Sequence, residues 1–196
     1  MIHPNTEIRF INEEVGYGVV AKELIAKGTI TWVLDKFDRE FTPDQYDALE
    51  PIYKNILKTY AYKNNLGNIV LCWDNGRFIN HSLNANCFTT AYNFELAVRD
   101  IQPGEQLTND YSYFNIDTSL FRGIDKRIKR KIVYPDDTLK CYKSWDKKLI
   151  KAFKYISKVK QPLIGLLDEE LWQLVVQIEK GTKEMESILE NYNYRI

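Results

Sequence analysis

The feature that most constrains the fold is a series of short strand-like runs within residues 7–110, separated by glycine, proline and asparagine. The runs are residues 8–11, 19–21, 29–33, 69–73, 87–92, 94–99 and 106–109. Short runs rich in β-branched and aromatic residues with such punctuation are typical of β-strands. No helical pattern of the length found in β-α-β units separates the later runs, which argues against a doubly wound parallel sheet. The sequence therefore predicts a mostly β fold of small antiparallel sheets.

A helix signal interrupts the strand pattern between about residues 42 and 62. It begins at residues 42–45, Thr-Pro-Asp-Gln, which have the composition of a capped helix start with a capping box. Pro51 lies inside the segment that follows and cannot continue an α-helix without a kink. We expect a helical insertion here, broken near Glu50.

Two amphipathic helices are expected in the C-terminal third, where apolar residues recur at spacings of three and four. The first is predicted to begin at a Ser144 cap, and the second at an Asp168 cap after a break at Pro162. The two apolar stripes are Trp145, Leu149, Phe153, Ile156 and Val159, then Leu171, Leu174, Ile178, Met185 and Leu189. Because stripes of this kind usually face a core, we expect a helical extension that packs on the β-rich part.

Composition places the chain among ordinary globular proteins. Its residues are 44% hydrophobic and 28% charged, values that exclude disordered, collagen-like and membrane-spanning classes. No apolar run approaches the roughly 18 residues of a membrane span, and residues 1–5 lack the basic and apolar regions of a signal peptide. We expect an intracellular, soluble protein, cytoplasmic or nuclear, with no membrane partner.

Cysteine and histidine are too few and too scattered to predict a metal centre. The three cysteines, Cys72, Cys87 and Cys141, form no Cys-x-x-Cys pair, and the two histidines are His3 and His81. A tetrahedral zinc site needs a closely spaced ligand set, and a disulfide framework needs paired cysteines. The sequence therefore predicts no metal ligands, a reducing compartment and, where a cofactor is used, an organic one.

The formal net charge is zero, but the charge is unevenly distributed. Residues 122–160 carry a net charge of +10, with the densest basic run from Arg122 to Lys131, and the parts before and after are acidic. Such a block fits a solvated surface, an acidic protein partner or nucleic acid. Because neither clear aromatic interleaving nor a groove-reading motif accompanies it, we expect no nucleic-acid partner. The sequence leaves the oligomeric state open.

Three segments carry residues suited to ligand binding or catalysis. Gly16-Tyr17-Gly18 lies between short strands, where glycines allow the backbone to approach a ligand closely. Residues 77–87 read Arg-Phe-Ile-Asn-His-Ser-Leu-Asn-Ala-Asn-Cys, and residues 104–111 read Gly-Glu-Gln-Leu-Thr-Asn-Asp-Tyr. Taken singly, the three segments fit an ordinary glycine turn, a polar turn with one histidine and a packed strand-end tyrosine.

In this order and at these separations, the three segments resemble the SET domain of protein-lysine methyltransferases. The family pattern has a GxG loop, an RFxNHSxxxNC segment and a GEELTxDY segment, and the resemblance covers roughly residues 7–115. It implies a fold in which the Asn-His segment and the last strand thread through one another as a pseudoknot, which is rare among folds. We therefore predict a SET domain at residues 1–120, followed at residues 121–196 by a basic connector and the helical extension.

The resemblance implies a protein-lysine N-methyltransferase that transfers a methyl group from S-adenosylmethionine to a lysine of a protein substrate. The lysine would enter through a narrow aromatic channel on the face opposite the cofactor. The residues that match the family positions are Gly16, Tyr17, Gly18, Asn80 and His81 for cofactor binding and Tyr111 for catalysis. The alternative is a non-catalytic SET-fold module that binds a peptide or protein partner.

The chain departs from the family pattern in two places. The zinc-binding Cys-x-Cys tail that follows many SET domains is absent, because Cys141 stands alone. We expect the segment that begins there to close the cofactor site, with Trp145 stacked on adenine, and an ordinary core position for Trp145 is the alternative. Asn109 stands two residues before Tyr111, where many members carry Phe or Tyr. The number of methyl groups transferred therefore cannot be assigned.

Overall fold

The β-rich part of the chain folds into small sheets, with helices between and after the strands. The computed structural model describes residues 1–116 and 130–194. The strands are β1 Thr6–Asn12, β2 Gly16–Ala21, β3 Ile30–Val33, β4 Arg39–Phe41, β5 Ala61–Lys63, β6 Ile69–Leu71, β7 Asn80–His81, β8 Cys87–Thr89, β9 Phe94–Ala97 and β10 Thr108–Asn109. The α-helices are α1 Pro43–Asp47, α2 Pro51–Tyr60, α3 Asp137–Phe153 and α4 Glu169–Lys180. The predicted mostly β fold with a helical insertion and a C-terminal helical extension is confirmed.

The strand pairs are antiparallel except for one. β1 pairs with β2, β9 lies between β3 and β8, and β6 lies between β4 and β5. The exception is the parallel pair of β7 and β10, in which Asn80 lies opposite Thr108 and His81 lies opposite Asn109. Because β8 and β9 come between these two strands in the chain, the pair joins two distant motif segments. This is the contact that the expected pseudoknot requires.

The helical insertion forms as its cap predicts. The side chain of Thr42 accepts the N–H of Gln45, and the Gln45 side chain accepts the N–H of Thr42, so the capping box is complete. Glu50 is extended, and α2 begins at Pro51. The break follows from proline, which has no N–H to donate to a continuing helix.

The main core lies between one face of the β3-β9-β8 sheet and the C-terminal helices. Phe94 and Leu96 of β9 are fully buried in one cluster with Leu149 and Phe153 of α3 and Val175 of α4. Burying a large apolar side chain contributes roughly 1.5–3 kcal/mol. The helical extension and the sheet therefore share one core.

The first C-terminal helix begins earlier than the sequence predicts. Because α3 starts at Asp137, Ser144 lies inside the helix, where its Oγ donates to the carbonyl of Cys141 at 2.8 Å. A bond to the preceding turn accommodates serine in a helix interior. The predicted Ser144 cap is therefore wrong. The sequence missed the true start because the buried residues of the first turn, Asp137 and Thr138, are polar and do not extend the apolar stripe.

The second C-terminal helix ends earlier than predicted. Asp168 caps it as expected, by accepting an N–H of the first turn. The helix ends at Lys180 because Gly181 adopts a left-handed φ of 73° and its N–H bonds back to carbonyls of the last turn. Met185 and Leu189 lie beyond this end, so their apolar spacing does not continue the α-helix.

Two of the sequence predictions concern residues outside the described ranges. The basic residues 122–129 and the boundary between residues 120 and 121 lie in residues 117–129, outside the described residues. The division into two parts therefore stays a prediction. Within the described ranges, no helix combines the length and the apolarity that crossing a bilayer requires.

Candidate active site and substrate cavity

The glycine loop, the Asn-His segment and the last strand converge at one place. Asn80 Nδ2 donates to the carbonyl of Tyr17 and to Gln106 Oε1, at 3.1 Å in each case. A single amide thus connects β2 and β7 with Gln106, which lies two residues before β10. The residues that the resemblance assigns to cofactor binding, Gly16, Tyr17, Gly18, Asn80 and His81, therefore lie in one region of the molecule.

The two glycines of the loop are required for different reasons. A Cβ atom at Gly18 would lie 2.6 Å from Gln106 Oε1 and 2.7 Å from Asn80 Nδ2, so the space is already filled. Gly16 has a φ of +76°, a conformation that favours glycine. Tyr17 between them is exposed, which leaves the loop accessible to a ligand.

Asn86 joins the two motif segments that form the parallel pair. Its buried side chain donates to the carbonyl of Gln106 at 2.8 Å and accepts the N–H of Thr108 at 2.8 Å. An asparagine amide can donate and accept in this way at once. Asn86 thus fixes the strand that leads to Tyr111, a positioning role that its place in the motif did not reveal.

Tyr111 follows β10 and is bonded to the Asn-His segment through both its backbone and its hydroxyl. Its N–H donates to His81 Nδ1 at 3.1 Å, and its hydroxyl donates to the carbonyl of Ile79 at 2.5 Å. Burial, and then the charge of Glu95, raise the pKa of Tyr111, so the hydroxyl stays protonated at neutral pH. Because the hydroxyl proton is directed at the Ile79 carbonyl, the oxygen lone pairs face away from that carbonyl and suit a positively charged group.

His81 positions Tyr111 and does not act as an acid. Burial lowers the pKa of His81, so its ring is neutral near pH 7. Since Nδ1 accepts the N–H of Tyr111, the ring proton is on Nε2. The two rings lie 5.3 Å apart. That His81 contacts the cofactor, which the resemblance implies, stays a prediction.

A cavity of about 700 Å³ opens beside Tyr111. Its aromatic lining is Trp32, Tyr46, Tyr60, Tyr62, Tyr111, Tyr113 and Phe114. The ring of Phe114 lies 5.0 Å from that of Tyr62 and 5.7 Å from that of Tyr111. These rings form a continuous wall, which is the chemistry expected of a channel for a lysine side chain.

Two polar residues line the same cavity, and one of them, Glu95, lies outside the three motif segments. Glu95 of β9 and Asn109 of β10 are both buried, and Asn109 Nδ2 donates to Glu95 Oε1 at 2.6 Å. Burial raises the pKa of Glu95 to about 7. A signal was present in the sequence, because a carboxylate inside an otherwise apolar strand is rare unless it is paired or functional.

Arg130 links the residues on either side of Tyr111 to α3. Its guanidinium pairs with Asp110 and, at 2.7 Å, with Asp137, and it donates to Ser112 Oγ at 2.7 Å. Both aspartates are buried. In the sequence, Arg130 is one of many basic residues in the segment 122–160. Net charge alone does not show that this arginine is bonded inside the protein.

Trp145 lies in the core next to this network. Its ring is 4% exposed, meets Tyr113 edge-on at 5.7 Å and lies 6.2 Å from Phe88. The guanidinium of Arg130 lies 5.8 Å from the same ring. These neighbours favour the core position over stacking on adenine, and the adenine contact stays a prediction.

Within residues 1–116 and 130–194, no group of three or more His, Cys, Asp and Glu side chains is placed to hold a metal ion. Cys72 and Cys87 are buried, and burial raises the pKa of both thiols. A raised pKa disfavours the thiolate that binds metals. That the whole chain has no metal ligands stays a prediction.

The family model of the SET domain matches residues 16–112, a range that begins at the glycine loop and ends just after Tyr111. A crystal structure of a candidate histone methyltransferase from Plasmodium falciparum is similar at 20% sequence identity and a TM-score of 0.41, over 56% of this chain and 95% of that chain. Similarity at this level carries no argument about activity. The match to the family model, however, includes all three motif segments, and residues 16–112 therefore form a SET domain.

Proposed function

We propose that the protein is an S-adenosylmethionine-dependent protein-lysine N-methyltransferase. The observation that carries this proposal is the position of Tyr111. Its backbone and hydroxyl are bonded to the segment that contacts the glycine loop, and its ring lines the aromatic cavity. One residue thus lies between the two places where a methyl donor and an amine would have to be brought together.

The glycine loop and the Asn-His segment would hold the cofactor. Their residues fit such a ligand, because the loop carries no side chain at Gly16 and Gly18, Asn80 has an amide, and His81 is neutral. Backbone and amide groups of this kind recognise a zwitterionic ligand with an adenine ring. When bound, the cofactor supplies an electrophilic methyl group on a positively charged sulfur.

The aromatic cavity would prepare the lysine. A lysine ammonium, with an ordinary pKa of about 10.4, must lose a proton before its nitrogen can act as a nucleophile. Apolar surroundings lower that pKa by desolvation, and aromatic faces attract the cation as it enters. The oxygen of Tyr111 would favour positive charge beside it, and it would exchange no proton, since the pKa of Tyr111 is raised.

Cofactor binding is the first test of this function. Calorimetric titration of the folded protein with S-adenosylmethionine is expected to show stoichiometric binding. Incubation with labelled cofactor and candidate proteins, followed by mass spectrometry, is expected to place methyl groups on lysine side chains. A folded protein that gives no heat of binding at millimolar cofactor contradicts the proposal and leaves the non-catalytic module.

Tyr111→Phe is expected to lower turnover on the order of 10²-fold, by analogy with the loss of one preorganised polar contact at a transition state. Cofactor affinity and melting temperature should change little, because only a hydroxyl is removed. Labelled methyl transfer and calorimetry measure the two effects. Tyr155→Phe, an exposed tyrosine after α3, is the matched control and should keep full activity. Equal turnover in the two variants would refute the role of Tyr111.

Gly18→Ala is expected to weaken cofactor binding about tenfold or more, because overpacking of this kind costs about 1–3 kcal/mol. The new methyl group would displace the Asn80 and Gln106 side chains that it meets. Gly165→Ala is the matched control, since a Cβ atom there meets nothing within 4 Å. Calorimetry on both variants decides the matter, and unchanged affinity in Gly18→Ala would show that the loop is not part of the site.

A further inference from the structure

Two buried oxygen atoms, on residues that line the aromatic cavity, have no hydrogen-bond partner among the described residues. They are Glu95 Oε2 and Asn109 Oδ1. The two side chains are joined to each other, since Asn109 Nδ2 donates to Glu95 Oε1 at 2.6 Å. Buried acceptors in native proteins almost always have a donor. A donor is therefore missing from this pair.

Both side chains are held in place by the fold. On β9, Phe94 and Leu96 are buried in the main core, so Glu95 between them belongs to the opposite face and reaches the cavity. Asn109 is the last residue of β10, and its carbonyl accepts the N–H of Ser82 at 2.8 Å. Both residues are buried, Glu95 at 4% and Asn109 at 3% exposure.

The chemistry of the pair defines its ligand. Two adjacent acceptors, one of them on a carboxyl group, suit a ligand with several N–H donors and a positive charge. A primary ammonium has three such donors, whereas an alcohol has one and an ionised carboxylate has none. The aromatic walls around the pair suit the alkyl chain of an amine and attract its charge.

We propose that Glu95 and Asn109 form the amine-binding site of the cavity, where both oxygens accept hydrogen bonds from a substrate ammonium and Glu95 then takes one of its protons. The inference deepens the proposed function and rests on it for the methyl transfer that follows. In the proton step one N–H bond breaks, its electron pair stays on nitrogen, and the proton forms an O–H bond to Oε2. The ammonium becomes a neutral amine, the carboxylate becomes a neutral acid, and no other reactant is consumed.

The surroundings of Glu95 suit this exchange. Its pKa, raised by burial to about 7, makes the carboxylate a usable base near neutral pH. The titratable groups coupled to it are the side chains of Tyr62, Cys72, Cys87, Tyr111 and Tyr113 and the α-amino group of Met1. Burial raises the pKa of these phenols and thiols, so they stay neutral. Among the described residues, the hydrogen bond from Asn109 and then the charge of the α-amino group lower the pKa of Glu95.

A pair of small probes tests the binding site without a protein substrate or the cofactor. n-Butylamine has the shape and charge of a lysine side chain, and n-butanol has nearly the same shape without the charge. Calorimetry is expected to show that the wild-type protein prefers the amine about tenfold or more, and that Glu95→Gln loses this preference. Equal binding of the two probes to the wild type, or an undiminished preference in Glu95→Gln, would overturn the inference.

The proton step is tested with labelled methyl transfer. Glu95→Gln removes the base but keeps an oxygen that can accept the hydrogen bond from Asn109. We therefore expect kcat/KM to fall about 10²-fold and the acidic limb of its pH profile near pH 7 to vanish. The affinity for S-adenosylmethionine should not change. Glu169→Gln, on the exposed side of α4, is the matched control. If Glu95→Gln fails to fold, Glu95→Asp should keep the amine preference and Asn109→Ala should weaken it. A pH profile of Glu95→Gln identical to that of the wild type contradicts the step.

The two proposals can fail separately. A protein that binds no S-adenosylmethionine but still prefers n-butylamine through Glu95 lacks the proposed function and keeps the amine site. A protein that binds the cofactor and methylates lysine, but whose activity is unchanged by Glu95→Gln, keeps the function and lacks this site.

Thermal stability tests the state of Glu95 without amine or cofactor. Because burial raises the pKa of Glu95 from 4.5 to about 7, its contribution to stability is lost as pH rises from about 4.5 through about 7, so the melting temperature of Glu95→Gln should gain on that of the wild type between these two pH values.

Discussion

Arg130→Met is expected to lower the free energy of unfolding by about 3–5 kcal/mol, because removing one partner of a buried ion pair leaves the other charge uncompensated. Arg130 bridges Asp110 and Asp137, and both carboxylates are buried. Methionine keeps most of the side-chain volume, so the effect isolates the lost guanidinium. Urea denaturation at neutral pH measures it.

Lys140→Met is the matched control for this change. Lys140 forms an ion pair with Asp136 one helical turn away, and both side chains are more than half exposed. Water screens such a pair, so its loss should have a much smaller effect than the loss of Arg130. If the two variants unfold at the same urea concentration, Arg130 is not a stabilising link between Asp110, next to Tyr111, and α3.

The parts of the site that could be predicted from sequence are those in which the residue type itself carries the constraint. Gly18 must lack a side chain because its neighbours fill the space, and Gly16 must tolerate a positive φ. Likewise the capping box at Thr42 needs only residues within one helical turn. Local requirements of this kind leave a readable pattern in the chain.

The parts that could not be predicted depend on pairing across the fold. Glu95 meets Asn109 across 14 positions, and Arg130 meets Asp110 across 20 positions. Neither pair has a characteristic spacing, and each becomes visible only when strands and helices are packed. β7 is likewise a two-residue strand that exists through its pairing with β10, and no propensity would assign it.

The start of α3 shows the same limit in a helix. The apolar stripe that begins at Trp145 predicts a helix from Ser144 onward, but the helix begins at Asp137. Its first buried residues are polar because they bind Arg130 and the carbonyl of Ser112. Because this first turn is bonded to the residues around Tyr111 through polar side chains, apolar periodicity does not predict it.

Trp145→Ala is expected to lower the free energy of unfolding by about 3–5 kcal/mol, the usual cost of removing a large aromatic side chain from a core. The ring is buried against Tyr113 and Phe88 and lies beside the Arg130 guanidinium. Cofactor affinity per folded molecule should not change, because these contacts leave the ring no open face for adenine. Thermal melting and calorimetric titration with S-adenosylmethionine measure the two quantities separately.

The stacked alternative predicts the opposite pair of results. If Trp145 stacks on adenine, its loss should weaken cofactor binding by about 1–3 kcal/mol, as for base stacking on aromatic side chains, with little change in the melting temperature of the free protein. Trp73→Ala is the matched control, since that indole is 45% exposed and hydrogen-bonds Asp35; its loss should disturb the core far less. A Trp145→Ala protein as stable as Trp73→Ala but weaker in cofactor binding would place the indole over adenine.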